Sequence, residues 1–465
     1  MLSRIWSVLV GVCLASLSFS CATIAETLPG TGTSTTSMPG SLGTRDSVVT
    51  ALRAEVQPLT GQEKDYNSLM TQIGDARVVM LGEATHGTHE FYHERMRITQ
   101  RLIRDKGFSA VVIEGDWPDA YRVNQYVRGL GRDSSAEQAL SSFTRFPRWM
   151  WGNTVVRDLV QWMRQHNTAL PPTASRVGFY GMDVYSLPSS SDAVVQQLQG
   201  LDAVAAGRAR ERYRGLVQFR NNPEQLGLSA LTDPNQPQAR LAREQFEDLQ
   251  RSYDAAQNRK DEWFSALQNA RVVQNAQEYY RVSYSGSESS WNVRDRHMAD
   301  TLDALLTHLS TPGKPAKIVV WAHNSHVGDA RQTTMGESGE WTVGQLMRQR
   351  RPKETFLLGF TTYSGTVMAA REWDEPGQVR QVRPALPGSF AALFHETGVK
   401  KFLLPLQGES ELVLSMGEPR LERAIGVVYL PETERQSHYF QARMSKQFDA
   451  VIHIDNSSAI KPLRP

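Results

Sequence analysis

Apolar residues recur along this chain in two alternating rhythms. Short continuous runs at 78–81, 109–113, 177–180, 317–321, 355–361, 401–404, 424–429 and 450–454 predict buried strands. Between them, apolar residues return at every third or fourth position, the spacing of amphipathic helices. Helices are predicted from Val49 onward, over 88–105, 118–128, 135–143, 155–166, 292–309, 342–350 and 389–395. Strand and helix in alternation predict an α/β fold, with a mostly parallel or mixed sheet flanked by helices on both faces in three layers.

The rhythm changes between Asp192 and Arg281. This stretch is rich in Gln, Arg, Glu and Ala, has few β-branched runs, and breaks near 232–238. It predicts a helical insertion over the α/β core, at 192–285, dividing that core into 48–191 and 286–465. Ahead of the core, 26–47 has the Gly, Ser, Thr and Pro composition of a flexible linker. Residues 1–25 have the charged start, apolar core and small-residue end of a signal peptide, with cleavage sites after Ala22 or Ala25. The expectation is an exported protein, periplasmic or secreted. A lipid anchor at Cys21 is the minority alternative, because Ser18-Phe19-Ser20 is a poor version of that signal. Both cysteines, Cys13 and Cys21, fall in this segment, so cleavage leaves no thiol for disulfides, nucleophilic catalysis or metal binding.

Composition narrows the function classes. In 465 residues the formal net charge is +2, with basic and acidic residues mixed, so no basic stripe marks a nucleic-acid binder. No apolar run after the signal is long enough to span a membrane. Phosphate-binding glycine loops are absent, and no cofactor is expected.

Chemistry gathers where strands end. The runs closing at Leu81, Ile113 and Trp321 lead into Glu83 and His86, Glu114 and Asp116, and His323 and His326; Asp183 follows a fourth strand. In a parallel sheet these ends open on one edge, where α/β enzymes bind ligands. The bland reading of each is a strand cap. It covers Asp116, as the start of a helix with Pro118 in its first turn, and leaves Glu114 unexplained.

His89-Glu90-Phe91-Tyr92-His93 fits the HExxH zinc pattern. Helical phase argues against it: Phe91, Tyr92, Ile98, Thr99, Leu102 and Ile103 share one face, and His89 and His93 fall opposite, toward solvent. The same phase puts Arg95 inside the apolar face, where it needs a carboxylate such as Glu83 or Glu114.

These residues resemble the erythromycin esterases. The likeness runs through Gly82-Glu83-Ala84-Thr85-His86-Gly87, Glu90-Phe91-Tyr92 with Arg95, and Val112-Ile113-Glu114-Gly115-Asp116. It continues through Trp291-Asn292-Val293-Arg294-Asp295, Trp321-Ala322-His323-Asn324-Ser325-His326, and Glu434 to Phe440. The resemblance implies hydrolysis of a macrolide lactone ester, a three-layer core with a helical subdomain over the cleft, and functional positions at His86, Glu83, Arg95, Glu114, His323 and His326.

The expected mechanism is attack by water with His86 as general base. Glu83 or Glu114 orients the imidazole, and Arg95, His323 or His326 stabilises the oxyanion. No GxSxG elbow supports Ser325 as a nucleophile. Asp116, Trp117 and Arg294 are the candidate contacts to a small-molecule ester substrate, and Trp149, Trp151 and Trp291 are further aromatic candidates for an apolar pocket. Two alternatives stay open: a metal-dependent hydrolase using the same Glu and His cluster, and an exported protein that binds a small ligand without turning it over.

Overall fold

The computed structural model describes residues 42–233, 236–286 and 289–463. The signal-peptide reading and most of the linker lie outside them. Eleven strands follow in chain order: β1 (Gln57–Pro58), β2 (Val78–Leu81), β3 (Ala110–Asp116), β4 (Gly178–Asp183), β5 (Ile318–Trp321), β6 (Thr355–Ala369), β7 (Gln378–Val382), β8 (Lys401–Pro405), β9 (Arg420–Arg423), β10 (Tyr439–Ala442) and β11 (Ala450–Ser457). A nine-stranded sheet runs β1-β8-β11-β6-β2-β5-β3-β4, with β7 paired to β6. From β11 to β4 every neighbouring pair is parallel. β8 and β1 join antiparallel at one edge, and β7 pairs antiparallel with the far end of β6.

The central strands are buried on both faces, which is why their sequences are continuous apolar runs with no alternation. Val79, Leu81, Val111, Ile113, Val319 and Trp321 face one core. Val78, Met80, Val112, Ile318 and Val320 face the other. Register fixes where the strands stop. Leu81, Ile113 and Leu358 are level with or one pairing from Trp321, so the residues after β2, β3 and β5 emerge together.

Helix α1 (His89–Lys106) buries Phe91, Tyr92, Ile98, Thr99, Leu102 and Ile103, with Arg95 among them, as its periodicity predicts. The helix following β3 is α2 (Trp117–Arg128). Between β4 and β5 the chain is helical: Leu187–Leu201, Ala203–Tyr213, Arg214–Phe219, Glu224–Thr232 and Gln238–Ala255 precede α3 (Lys260–Ser285) and α4 (Ser290–Leu309). The segments before α4 build a core of their own, including Val184, Leu198, Ala209, Tyr213, Leu249, Leu267, Val273 and Tyr280. This helical run starts at Leu187, earlier than the change in composition at Asp192.

One expected strand does not form. Residues 424–429 join no sheet: Ile425 makes a single bridge to Thr85 and Val428 one to Ala370. The apolar residues that suggest a strand, Ile425 and Tyr429, are fully buried by packing against the loop after β2 and the end of β6. The strand lies just before them, as β9 paired with β10.

Candidate active site

The loop after β2 carries the first side chains, and its backbone is pinned from several directions. Gly82 donates to the Leu358 carbonyl at 2.8 Å, Asn324 donates to the Glu83 carbonyl at 2.8 Å, and Ile425 donates to that of Ala84 at 2.9 Å. The Gly87 carbonyl accepts from both Met368 (3.0 Å) and Ile460 (2.9 Å). A Cβ on Gly87 would lie 1.9 Å from the Met368 carbonyl oxygen, so only glycine fits there.

Held this way, Glu83 is fully buried and divides its carboxylate. Oε1 takes the Nδ1–H of His86 at 2.8 Å and Oε2 takes Nη2 of Arg95 at 2.6 Å. Arg95 is fully buried too, its guanidinium lying 4.3 Å from the Tyr92 ring and 4.7 Å from that of Trp321. Trp321 is fixed in turn by its Nε1–H on Thr99, at 2.9 Å. The partner that Arg95 needs is therefore Glu83. Because His86 gives its Nδ1 proton to a carboxylate, the neutral ring keeps its lone pair on Nε2.

His323 has the opposite tautomer. Its Nδ1 accepts the Ser325 backbone N–H at 3.2 Å, capping the turn of helix that follows, so its proton sits on Nε2. Ser325 Oγ lies 2.8 Å from the same Nδ1. Nε2 is buried without a hydrogen-bond partner of its own. Burial, with the neighbouring His86 and His326, holds the His323 pKa well below the usual imidazole value, against the pull of Glu114 and the Ala84 carbonyl. The ring stays neutral, and its centre is 4.8 Å from that of His86.

Glu114, at the end of β3, links the two remaining parts. Oε2 accepts the His323 backbone N–H at 2.9 Å, and Oε1 accepts Nη2 of Arg294 at 2.7 Å with His326 Nε2 3.5 Å away. Burial favours its neutral form. The neighbouring His326, Arg294 and His86, with the His323 N–H, outweigh burial and keep it an anion well below the usual carboxylate range. His326 gives Nδ1–H to Asp295 at 2.9 Å and accepts from Nη1 of Arg294 at 2.8 Å. The Trp291 ring stacks on it at 4.2 Å, within 7° of parallel.

All six residues expected to be catalytic thus stand in one cluster, each 7 % exposed or less. The three candidate substrate contacts fare differently. Arg294 is in the cluster, but most of its donors are committed: Nε and Nη2 to Asp183, Nη2 to Glu114 and Nη1 to His326. Asp116 sits at the N-cap position of α2 without capping it; its carboxylate instead binds Arg145 through two bonds of 2.7 and 2.8 Å. Trp117 is a core residue. It is 1 % exposed, packed against Tyr180 and Phe264, with Nε1 on Ser265 at 3.3 Å. An indole is the volume that fills the gap between sheet and α3, so Trp117 has no face free for a ligand. Trp149 and Trp151 are also buried; Trp151 supports the cluster from the core, its Nε1–H on the Glu114 carbonyl at 3.1 Å, while Trp291 stacks directly on a catalytic candidate, His326.

Several neighbours escape a reading of the sequence. Asp295 lies on the buried face of α4 with Met298, Leu302 and Leu306, the same signal that singles out Arg95. Tyr185 lies between two guanidiniums, 4.9 Å from Arg294 and 5.0 Å from Arg145, and no periodicity marks it. Asn324 ties the site to β6, giving Nδ2–H to the Phe360 carbonyl at 2.7 Å and to Glu422 at 3.2 Å.

His89 and His93 lie outside the cluster. Their rings are 6.1 Å apart, and His93 pairs with Glu94 at 3.3 Å. His89 is half-buried, less open than helical phase alone predicts, because Ser458 and Ala459 lie against the start of α1. Among the described residues no three His, Cys, Asp or Glu side chains are grouped so as to hold a metal ion. Among them, too, no helix is long and apolar enough to cross a membrane.

Comparison with known proteins gives this geometry a setting. The sequence model of the family described as "Erythromycin esterase" matches residues 103–457. The chain is 24% identical over 414 residues to an erythromycin esterase type II from Escherichia coli, covering 85% of this chain and 93% of that one. A crystal structure of a Bacillus cereus protein superposes with a TM-score of 0.76 at 21% identity, covering 90% of this chain and 100% of the other. An erythromycin esterase mutant in its open conformation superposes with a TM-score of 0.61 at 15% identity, covering 86% and 96%.

Proposed function

Since this chain belongs to the erythromycin esterase family, we propose that it is an exported hydrolase that cleaves a carboxylic ester, a macrolide lactone being the first candidate, with water as nucleophile and His86 as general base. The observation that carries the reading is the pairing of His86 and His323. One presents a bare nitrogen and the other an N–H, with ring centres 4.8 Å apart. Ester hydrolysis needs this complement: a base for the attacking water and a donor for the oxygen that becomes negative.

In the proposed reaction the water oxygen attacks the carbonyl carbon while its proton passes to His86 Nε2. The imidazolium formed keeps its Nδ1–H on Glu83, whose charge offsets the new positive charge. Arg95 holds Glu83 ionised and fixed. The carbonyl oxygen becomes an oxyanion and accepts from His323 Nε2–H. When the tetrahedral intermediate collapses, the C–O bond to the alcohol breaks and the departing oxygen takes the proton from His86. Glu114 holds His323 by its backbone N–H and holds Arg294 beside His326.

The deciding experiment incubates the mature protein with a panel of macrolides and simpler esters and follows the masses. The expected product is substrate plus one water, absent with His86→Ala. No gain of water on any macrolide would remove the macrolide reading. Undiminished turnover by a folded His86→Ala variant would remove the mechanism.

A further inference from the structure

Arg294 joins three groups of the cluster through hydrogen bonds along its edges. Nε–H and Nη2–H donate to the two oxygens of Asp183 at 2.9 and 2.7 Å. Nη2 also donates to Glu114 at 2.7 Å, and Nη1 donates to His326 Nε2 at 2.8 Å. The N–H groups of a guanidinium point outward in its own plane, in a rigid fork. Bonds of that kind steady the group within the plane and do little against tilting out of it. Tyr185 supplies a contact of the other kind: Arg294 Cζ lies over its ring, 4.9 Å from the centre. The negative face of the ring attracts the cation, and the attraction strengthens where water is excluded. The Arg294 side chain is 12 % exposed.

Tyr185 is itself held from several sides. It stands between the end of β4 and the first helix of the insertion, Leu187–Leu201. Its ring meets Tyr279 of α3 edge to face, with centres 5.2 Å apart at 89° and hydroxyl oxygens 3.3 Å apart. A second guanidinium, Arg145, lies over the same ring with Cζ 5.0 Å from the centre. Each cation has carboxylates of its own, Asp116 for Arg145 and Asp183 with Glu114 for Arg294. Repulsion between them is therefore screened, and both gain from the one ring. From Arg294 the contacts lead on to the chemistry: Glu114 takes Arg294 on Oε1 and the His323 backbone N–H on Oε2.

We propose that Tyr185 is a positioning residue for the catalytic cluster, the point at which the helical insertion steadies Arg294 and, through Glu114, His323. The proposal deepens the ester-hydrolase reading and rests on it for the role of His323. The face of the ring does the work and the hydroxyl does not, since the hydroxyl is turned to Tyr279. Phenylalanine should therefore substitute for Tyr185, and an aliphatic side chain of similar bulk should not.

The test compares Tyr185→Phe and Tyr185→Leu in the full protein, with melting curves to verify folding. On an ester that is cleaved, Tyr185→Leu should lower kcat about tenfold, the scale of one partly buried cation–π contact, with KM little changed. Tyr185→Phe should restore kcat to near wild type. A second measurement needs no turnover. In protein labelled with ¹⁵N-arginine, the Arg294 Nε–H resonance is identified by its loss in Arg294→Lys, and its hydrogen exchange is followed. Exchange should be about tenfold faster in Tyr185→Leu than in wild type or Tyr185→Phe. Wild-type exchange in Tyr185→Leu, or a Tyr185→Phe variant as impaired as Tyr185→Leu, would overturn the proposal. So would a loss confined to KM, which would make Tyr185 a substrate contact, and so would faster exchange with kcat unchanged. If no ester is cleaved by the wild type, the esterase reading fails, and the exchange measurement alone decides whether Tyr185 holds Arg294.

Discussion

His86 and His323 face each other with ring centres 4.8 Å apart and opposite tautomers, one held by the Glu83 carboxylate and the other by the Ser325 backbone N–H. Their substitutions should therefore fail differently. His86→Ala should lower kcat by about 10²–10⁴, the contribution of a positioned base. His323→Phe, which keeps ring volume and removes the donor, should lower kcat by about 10²–10³ with little change in KM. Steady-state kinetics on any ester found to be cleaved decides this; a normal kcat in the folded His323→Phe variant would remove the donor role.

The Glu83–Arg95 pair should show its value when broken and not when replaced. Both side chains are 0 % exposed. Arg95→Leu strands a buried carboxylate and is expected to cost about 3–5 kcal/mol of folding stability. Glu83→Leu with Arg95→Leu removes both charges and should recover most of that loss while leaving the protein inactive. Urea denaturation of the two single variants and the double variant measures the coupling.

Trp117 separates packing from ligand contact. Trp117→Ala should cost about 3–5 kcal/mol, as for other large buried aromatics, and Trp117→Phe much less. For an ester that is turned over, KM should be unchanged in Trp117→Phe. A raised KM with unchanged stability would restore the indole to the binding surface.

Glu422 gives the fold a pH dependence of known sign. It is 1 % exposed, bound by Asn324, and burial pushes its carboxyl up to about 8, with Asn324 and Gln447 opposing. Since the folded state holds this proton more tightly than the unfolded chain, deprotonation opposes folding. Its contribution to stability is complete below about 4.5, falls as pH rises through the interval to about 8, and is constant beyond. Glu422→Gln keeps a neutral side chain and should flatten that decline, so its melting temperature should exceed wild type increasingly from pH 5 to pH 8. Parallel curves for the two proteins would show that the carboxyl is ionised already at neutral pH.

Asp295 fixes the His326 tautomer by taking its Nδ1–H, much as a carboxylate orients a catalytic imidazole. Asp295→Asn should lower kcat by about 10²-fold or more, as loss of an orienting carboxylate does elsewhere, while binding of substrate changes little. A variant with wild-type kcat would make Asp295 only a support for the Val343 N–H.

Much of this arrangement is legible in the sequence because strand ends carry it. Glu83, Glu114 and His323 each follow a continuous apolar run, and level register in a parallel sheet brings them together whatever their separation in the chain. Arg95 is legible by helical phase, since a charge on an apolar face must meet its opposite. Asp295 obeys the same rule on α4. What stays hidden depends on tertiary packing. Trp117 has the composition of a pocket wall and is drawn into the core by the helices above it. Arg145 and Tyr185 come from loops that have no period. Residues 424–429 look like a strand because they are apolar, but their partners are the β2 loop and the end of β6, and a single bridge to each leaves no ladder.

The pinning of the β2 loop has a consequence for how the protein comes into being. Gly87 accepts from Ile460, His89 donates to the Ser458 carbonyl, and Glu90 takes the backbone N–H of Ser458. His86, near the beginning of the described residues, thus sits in a loop pinned by residues that a ribosome adds several hundred codons later. A nascent chain can form the early βα units without acquiring the geometry of the site. The loop that carries Glu83 and His86 therefore has its full set of backbone anchors only once the segment around Ile460 is in place.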